Sequence, residues 1–177
     1  MKHIFYHLTA VMVVVVWGMT FISTKVLIVH GLSPQEIFLF RFLLAYAAVC
    51  PISFHRFFAR NLKDELYLVG GGVLGGSLFF FLQNIALGLT QASNVSFIIC
   101  MAPLLTAVLT VLSVRTEKVS RGFIYGSIIA LLGVGLLIFN GSFILRISPL
   151  GDLLTLLASL SWAFYSLVIR SLTRKYS

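Results

Sequence analysis

Between residues 66 and 114 the chain runs for 49 residues without a charged side chain. A single helix of that length would measure about 74 Å, roughly twice the thickness of the hydrocarbon core of a bilayer. The polar side chains of Thr90, Gln91, Ser93 and Asn94 lie near the middle of this run. The run therefore predicts two helices that each cross a membrane, with a turn at the polar cluster.

The rest of the chain is similarly apolar. Hydrophobic residues make up 59% and charged residues 10% of the 177 residues, and the mean hydropathy is +1.04. A soluble domain carries about 25% charged residues, and a disordered chain combines low hydrophobicity with high charge, so both classes are excluded. A transmembrane β-barrel needs short strands of alternating polarity, which these runs lack. The sequence predicts an all-α integral membrane protein with six transmembrane helices, over about residues 8–28, 34–54, 66–89, 92–114, 122–140 and 151–170.

The distribution of positive charge predicts a single orientation in the bilayer. The chain has 13 Lys and Arg against 5 Asp and Glu, a net charge of +8. Because cytoplasmic loops carry an excess of Lys and Arg, the N-terminus and residue 177 are predicted to be cytoplasmic, in a multi-pass protein of the inner or plasma membrane. The lipid bilayer explains the basic balance without a nucleic-acid partner. The ten cations on the predicted inner side are Lys2, Arg56, Arg60, Lys63, Arg115, Lys118, Arg121, Arg170, Arg174 and Lys175.

The first and sixth predicted helices resemble each other at an offset of 145 residues. Five spans separate the two copies, so the second copy enters the membrane from the opposite side. Inverted repeats build many secondary transporters, whose substrate site lies near the membrane midplane between the halves. A shared packing tryptophan is the alternative explanation of the match. The matched pairs are Trp17 with Trp162, Gly18 with Ala163, Lys25 with Arg170 and Leu27 with Leu172.

A series of short patterns follows the same six helices in order. They are Trp17-Gly18 with Phe21 and Lys25, Pro34 and Arg41-Phe42 with Ala45, Ala86-Leu87, Ala92-Ser93, Pro103, Glu117-Lys118, Gly126 and Gly133, and Gly151-Asp152 with Trp162-Ala163. In their order and spacing they resemble the EamA-type transporters of the drug/metabolite transporter superfamily.

The resemblance implies ten helices arranged as two inverted five-helix repeats. Residues 1–143 resemble the first repeat, and residues 144–177 resemble the start of the second, with one helix of it present. The chain is thus similar to a truncated member, without the last four helices. The implied function is secondary transport of a small metabolite or drug, predicted to be outward, by alternating access. The implied partners are a small-molecule substrate, and the missing second-repeat helices or another subunit.

Three charged residues in or near the spans are candidates for a cavity or gating role. Arg41 lies about two turns into the second helix, where an unpaired charge costs several kcal/mol. It either faces a central cavity and holds an anionic group or gating partner, or is a structural arginine bonded to helix-end carbonyls. Lys25 lies near the outer end of the first helix, where snorkelling to the interface is the main alternative. Glu36 begins the second helix and is a candidate partner of either cation.

Three uncharged residues are further candidates. Trp17 lies in the middle of its helix rather than at an interfacial belt, and it either packs or lines a cavity. Gln83 and Asn84 are neighbouring amides near the end of the third helix, where amides bond between helices or to a substrate.

Helix packing and flexibility are predicted from small residues and proline. Gly71 with Gly75 and Gly72 with Gly76 form two overlapping GxxxG patterns, which allow close helix contact. Pro103 lies in the middle of the fourth helix, where a proline removes a hydrogen bond and kinks the helix. A packing role is predicted for the glycines and a hinge for Pro103.

The sequence shows no pattern of an enzyme. It contains neither GxSxG nor HExxH, so no catalytic residue, metal ligand or cofactor is assigned. No Asp or Glu lies in the middle of a span, so the chain offers no clear proton relay. The alternatives to a transporter are a truncated membrane protein that does not transport, an assembly partner, and a compact homodimer. An antiparallel dimer is opposed by the charge asymmetry, and a membrane enzyme is the weakest option.

Overall fold

The computed structural model describes residues 2–53, 61–113, 120–139 and 148–176, and every regular element in these ranges is helical. This confirms the predicted all-α class. The boundary predicted between the repeats, at residues 143 and 144, and residue 177 lie outside the described residues. The elements are α1 (Lys2–Val29), α2 (Pro34–Ser53), α3 (Leu62–Gly71), a π-helical segment (Gly72–Leu78), α4 (Phe79–Leu89), α5 (Ala92–Ile99), α6 (Ala102–Ser113), α7 (Arg121–Phe139) and α8 (Pro149–Tyr176).

Helices lie within each of the six predicted spans in the part of the chain that the structure describes. Four of them are long and apolar enough to cross a membrane: Ile4–Val29, Leu62–Leu89, Ala92–Ser113 and Pro149–Thr173. The remaining two are α2, with 20 residues, and α7, with 19 residues. The third segment begins at Leu62, earlier than predicted, because Asp64 and Glu65 fall within its first helical turn. Carboxylates there interact favourably with the positive end of the helix dipole.

The centre of the described structure is α8, which packs against α3, the π-helical segment, α4, α5 and α6. Its buried positions are small, including Ala158, Ser159 and Ala163. Small residues let helix backbones approach closely, which drives association where lipid is as apolar as the protein. In contrast, large apolar side chains such as Met12 and Leu44 are exposed, as expected of lipid-facing surface.

Both ends of α8 are tied to the third helical segment by polar side chains. At one end, the Lys175 Nζ donates to Asp64 Oδ2 over 2.6 Å, and Asp64 is 6% exposed. At the other end, the Thr90 hydroxyl donates to Asp152 Oδ1 over 3.3 Å. Thr90 follows the last residue of α4. The two contacts fix the position of α8 along α3–α4.

The π-helical segment lies in the middle of the third span, and the sequence analysis did not predict it. Its residues read GVLGGSL, and glycine tolerates the wider turn at little steric cost. The Ser161 hydroxyl of α8 donates to the backbone carbonyl of Leu74 within this segment, over 2.8 Å. The irregular turn therefore coincides with a hydrogen bond between two helices.

The two GxxxG patterns face different neighbours. A Cβ atom at Gly75 would lie 2.4 Å from Cγ of Tyr165, and one at Gly71 would lie 3.2 Å from Cδ1 of Ile169. The pair Gly71 and Gly75 therefore provides the close contact with α8. Because Gly75 has no side chain, the Tyr165 ring can lie directly over its backbone.

The second pattern makes no contact of this kind with α8. A Cβ at Gly72 would have no heavy atom within 4 Å. At Gly76 the nearest neighbour would be the Phe42 ring of α2, at an ordinary van der Waals distance of 3.6 Å. The predicted packing role thus has a structural basis at Gly71 and Gly75 more than at Gly72 and Gly76.

The fourth span is broken in its middle. Cys100 and Met101 separate α5 from α6, and Pro103 is the second residue of α6. Proline has no amide hydrogen, so Pro103 cannot donate a helical hydrogen bond to the carbonyl of Ile99, four residues earlier. Proline is favoured in the first turn of a helix, where its missing amide hydrogen has no partner within the helix, and Pro103 lies in the first turn of α6. Motion at this break stays a prediction.

We expect Gly75→Ala to lower the free energy of unfolding by about 1–3 kcal/mol, because the added methyl group overlaps the Tyr165 ring. The measurement is thermal unfolding of the purified protein in detergent. Gly72→Ala is the matched control, and it should cause no loss because its Cβ enters open space. Equal unfolding temperatures for the two variants would show that the ring does not lie over Gly75.

Candidate functional site

An apolar cavity of about 390 Å³ lies between α1, the α5–α6 break, α7 and α8. Trp17 and Phe21 of α1, Ile99 of α5, Pro103 of α6 and Trp162 of α8 form part of its wall. We call it the Trp cavity. Its volume falls within the range of small-molecule sites, which are mostly apolar with few polar groups.

A second cavity, of about 640 Å³, lies between α6, the start of α7 and α8. Pro103 and Trp162 line both cavities. The hydroxyls of Thr106, Thr110 and Ser166 each donate to the backbone carbonyl four positions earlier in the same helix. Because their hydrogen atoms are used in this way, their oxygen lone pairs can accept a hydrogen bond from a solute. We call this the hydroxyl cavity. Its polar lining residues are Thr106, Thr110, Ser120, Ser166 and Arg170.

Aromatic rings form the wall between α1, α4 and α8. The ring centroids of Trp17 and Trp162 lie 5.5 Å apart at an interplanar angle of 35°. Phe79 lies 4.9 Å from Trp162 and 6.3 Å from Trp17, and Tyr165 lies 5.1 Å from Trp162. Contacts at these separations are typical of favourable aromatic pairs. The two tryptophans that the repeat pattern matches are thus in direct contact.

Of the six residues predicted to serve a cavity or gate, Trp17 lines the Trp cavity. The other five line neither of these two cavities. α2 and α4, which carry Arg41 and Gln83, contribute to neither lining, whereas α7 and α8 contribute to both. The five residues are Lys25, Glu36, Arg41, Gln83 and Asn84.

Lys25 binds the C-terminal end of α4. Its Nζ donates to the carbonyl oxygens of Leu87 over 2.6 Å and Thr90 over 2.8 Å. The last carbonyls of a helix have no amide partner within the helix, and a cation there also complements the helix dipole. The Lys25 ammonium group therefore stabilises the end of α4. The sequence analysis gave snorkelling to the interface as the main alternative for this side chain.

Thr90 joins four helical segments at this point. Its carbonyl accepts from Lys25, its hydroxyl donates to Asp152, and the Asn94 Nδ2 donates to its Oγ1 over 3.4 Å. Asp152 Oδ2 also accepts from the backbone amide of Ser148 over 3.2 Å. The result is a polar cluster that connects the C-terminal ends of α1 and α4 with the starts of α5 and α8.

Glu36 pairs with Ser33 instead of with a cation. Glu36 Oε2 accepts from the backbone amide of Ser33 over 2.8 Å and from its hydroxyl over 2.7 Å. The Ser33 Oγ in turn accepts from the amide of Glu36 over 3.3 Å. This reciprocal arrangement is a capping box, which satisfies free amides at a helix start. Glu36 is exposed and pairs with neither Lys25 nor Arg41 in this structure.

Arg41 lies half-buried between α1, α2 and α4. Its Nη2 donates to the Thr24 hydroxyl over 3.0 Å, and its Cζ lies 5.6 Å from the centroid of the Phe80 ring. Thr24 is 1% exposed. A guanidinium group has five N–H donors, and the described residues provide no carboxylate partner for it. The remaining donors of Arg41 are thus available to another group.

Gln83 and Asn84 are both enclosed, with 0% and 1% of their surfaces exposed. None of the four nitrogen and oxygen atoms of their side chains has a hydrogen-bond partner among the described residues. Buried amides without partners are uncommon, because each unmade bond costs about 1–3 kcal/mol.

Sequence reasoning missed several residues that organise this region. Trp162 was noted only as the match of Trp17, and Thr90 and Asp152 only as parts of patterns. The capping box was visible, since Ser33 and Glu36 have the required spacing before an apolar helix. No sequence signal identifies Lys25 as the partner of carbonyls more than 60 positions later. Among the residues described, no group of three or more His, Cys, Asp or Glu side chains is placed to hold a metal ion.

Comparison with known proteins gives two matches. Residues 4–139 match the EamA-like transporter family. The chain is also 27% identical, over 175 residues, to a protein of Bacillus subtilis (strain 168) named as uncharacterized transporter YcxC. This match covers 96% of the chain and 55% of that relative, so the chain spans about half the length of the relative. No solved structure matches the chain.

We expect Lys25→Met to lower the free energy of unfolding by about 1–3 kcal/mol, because it leaves the carbonyls of Leu87 and Thr90 without their charged donor. Thermal unfolding in detergent measures the change. Lys63→Met, at an exposed position of α3, makes the same substitution and should have little effect. A Lys25→Met protein as stable as the control would argue against a capping role.

Proposed function

This chain belongs to the EamA-like transporter family, and we propose that it acts in a secondary transporter that carries a small metabolite or drug across the cell membrane. The proposed mechanism is alternating access, in which one repeat moves against the other. The family points to transport rather than to enzymatic catalysis. The identity of the solute and its outward direction are part of the proposal.

The observation that carries this proposal is the pair of cavities along α8. The Trp cavity offers apolar and aromatic surface, and the hydroxyl cavity offers hydroxyl oxygens beside Arg170. Because Trp162 and Pro103 line both, an elongated solute with an apolar body and a polar end fits the combination. The hydroxyl cavity lies at the end of the bundle where Ser120 and Arg170 are found, the side predicted to be cytoplasmic. This placement supports entry of the solute from inside the cell.

The contact between Trp17 and Trp162 supports an inverted repeat. Two residues related by a two-fold axis can touch only close to that axis. The repeat pattern matches these two residues, and their rings lie 5.5 Å apart. An axis near this pair passes beside the Trp cavity, as expected of a transporter whose site lies between its halves.

The same relation supports a proposed surface for partner helices. Ala158 and Ser161 of α8 are buried against the third and fourth spans. An offset of 145 residues relates them to Val13 and Val16 of α1, which are 60% and 54% exposed. We propose that this face of α1 packs against second-repeat helices, supplied by the same polypeptide or by another subunit.

Transport is tested by comparing small molecules released by cells that express the chain with those released by cells carrying an empty vector. We expect at least one metabolite to leave the expressing cells faster, when expression includes second-repeat helices. Membrane insertion is measured in parallel. Unchanged release from cells with inserted protein, with and without those helices, would favour the non-transporting alternative.

Arg41→Gln should abolish this transport while leaving membrane insertion intact, because it removes a positive charge whose N–H donors, apart from the one bonded to Thr24, are not used by the described residues. Arg121→Gln, at the exposed start of α7, is the matched control and should retain transport. Release rates and the amount of inserted protein are measured for both variants. Normal transport by Arg41→Gln would leave Arg41 with a structural role only.

Orientation is tested with reporter fusions. Alkaline phosphatase, which is active only outside the cytoplasm, should be active when fused after Gly31 or Gln91. A fluorescent protein that folds in the cytoplasm should be bright when fused after Tyr176. This outcome follows from the excess of Lys and Arg on the predicted inner side. The opposite pattern of activities would reverse the proposed orientation and with it the side from which the hydroxyl cavity opens.

A further inference from the structure

Two adjacent buried amides in a membrane helix need a physical reason. Gln83 and Asn84 are almost fully enclosed, and all four of their polar side-chain atoms lack hydrogen-bond partners among the described residues. Each unmade bond destabilises the fold by about 1–3 kcal/mol, and an apolar side chain of similar shape removes that cost. The amides therefore make no stabilising hydrogen bond with the described residues in this conformation, so their polar atoms are available to another group.

The Gln83 amide lies toward α1 and α8. Residues four apart lie on one face of a helix, so Gln83 shares a face with Phe79 and Leu87. The Phe79 ring contacts Trp17 of α1 and Trp162 of α8. The amide is therefore one turn from the aromatic wall of the Trp cavity.

The Asn84 amide lies toward α2. It shares a face with Phe80 and Gly88. The Phe80 ring lies 5.9 Å from that of Phe42, and a Cβ at Gly88 would meet Cγ of Pro34 at 3.4 Å. Both neighbours on this face of α4 thus contact α2, one on each side of Asn84.

Arg41 reaches the same region from α2. Its guanidinium group covers Phe80, which is one turn of α4 from Asn84. Its hydrogen bond to Thr24 places it against α1 as well. The group thus lies where α1, α2 and α4 meet, with a permanent positive charge and N–H donors beyond the one used by Thr24.

The charges around this point favour an anion. Lys25 is directed to helix-end carbonyls, and Glu36 is bonded to Ser33 at an exposed position. No described carboxylate neutralises Arg41. A guanidinium group pairs with a carboxylate through two parallel hydrogen bonds, which is its strongest form of recognition. The two amide carbonyl oxygens, in turn, accept only from an N–H or O–H donor.

We propose that Arg41, Gln83 and Asn84 form a recognition site, here called the amide site, for a small carboxylate that also carries a neighbouring N–H or O–H donor. Arg41 binds the carboxylate, the amide nitrogens donate to it, and the amide oxygens accept from the second group. The inference rests on the proposed function, since the enclosed amides become accessible only through a conformational change such as alternating access.

The first experiment compares three probes of similar size with the full chain purified in detergent. They are 2-hydroxy-4-methylpentanoate, its carboxamide, and 4-methylpentanoate, which lacks the hydroxyl. Thermal unfolding is followed through the fluorescence of the two tryptophans of the chain. A ligand that binds the folded state raises the unfolding temperature. We expect the hydroxy acid to bind about tenfold or more tightly than its carboxamide, with 4-methylpentanoate between them.

The second experiment separates recognition from folding. Gln83→Met and Asn84→Leu replace unpartnered amides with apolar side chains, so the unfolding temperature without probe should stay the same or rise. Both variants should bind the hydroxy acid about tenfold more weakly. Arg41→Gln should lose the preference for carboxylate over carboxamide. Gln35→Met, at an exposed position of α2, is the matched control and should keep the wild-type response.

Two results would overturn the amide site. One is an equal response, or none, to the hydroxy acid and its carboxamide. The other is a pair of amide variants that unfold at lower temperature and still respond to the hydroxy acid as the wild type does. The export measurement separates this failure from failure of the proposed function. Equal export of solutes without carboxylates by wild type and Arg41→Gln would refute the amide site and leave transport standing, whereas export of no solute refutes transport itself.

Discussion

The close contact of α8 with the third helical segment holds the described structure together. Tyr165 covers Gly75, Ser161 donates to the Leu74 carbonyl, and small residues of α8 are buried along its length. In lipid there is no hydrophobic driving force between helices, so association depends on tight packing and on such hydrogen bonds. The helix predicted to begin a second repeat is therefore the one around which the other described helices are arranged. Both cavities are lined by this helix as a result.

A second constraint is that polar groups in a bilayer must find partners within the protein. The ends of the helices meet this requirement with side chains from elsewhere in the chain or from the preceding turn. Lys25 binds the end of α4, Ser33 and Glu36 cap α2, and Asp152 accepts from the amide of Ser148 just before α8. These contacts lie where the helices begin and end. Lys25 links α1 to the end of α4, and the Thr90 hydroxyl links that end to Asp152 of α8.

The sequence predicted the helices well because uncharged runs of fixed length leave few alternatives in a bilayer. It failed at the π-helical segment, since glycines permit that turn without requiring it, and Ser161 supplies its partner from another helix. It also named Trp17, Arg41 and Gln83 as candidates for a cavity or substrate role, and of these three Trp17 lines one of the two cavities described, while the roles of all three stay predictions. A periodic pattern identifies the face of a helix, but which helix covers that face is decided by tertiary packing.

Lys25 and Arg41, the two cations within the spans, show why residue type and position in the sequence could not assign a role to each of them. In the sequence, Arg41, two turns into its helix, is equally plausible in a structural and in a functional role, whereas Lys25, near the end of its helix, is expected to snorkel to the interface. In the structure, the Lys25 ammonium donates to two carbonyls that have no other helical partner, which accounts for its position. Among the described residues, Arg41 has one hydroxyl and one ring as partners, and the Gln83 and Asn84 amides of α4 have no hydrogen-bond partner. Placing a polar group in lipid costs free energy, so a group that is retained there needs compensating interactions. Of the two cations, Arg41 has fewer hydrogen-bond partners among the described residues, so its presence depends on something that these helices alone do not supply.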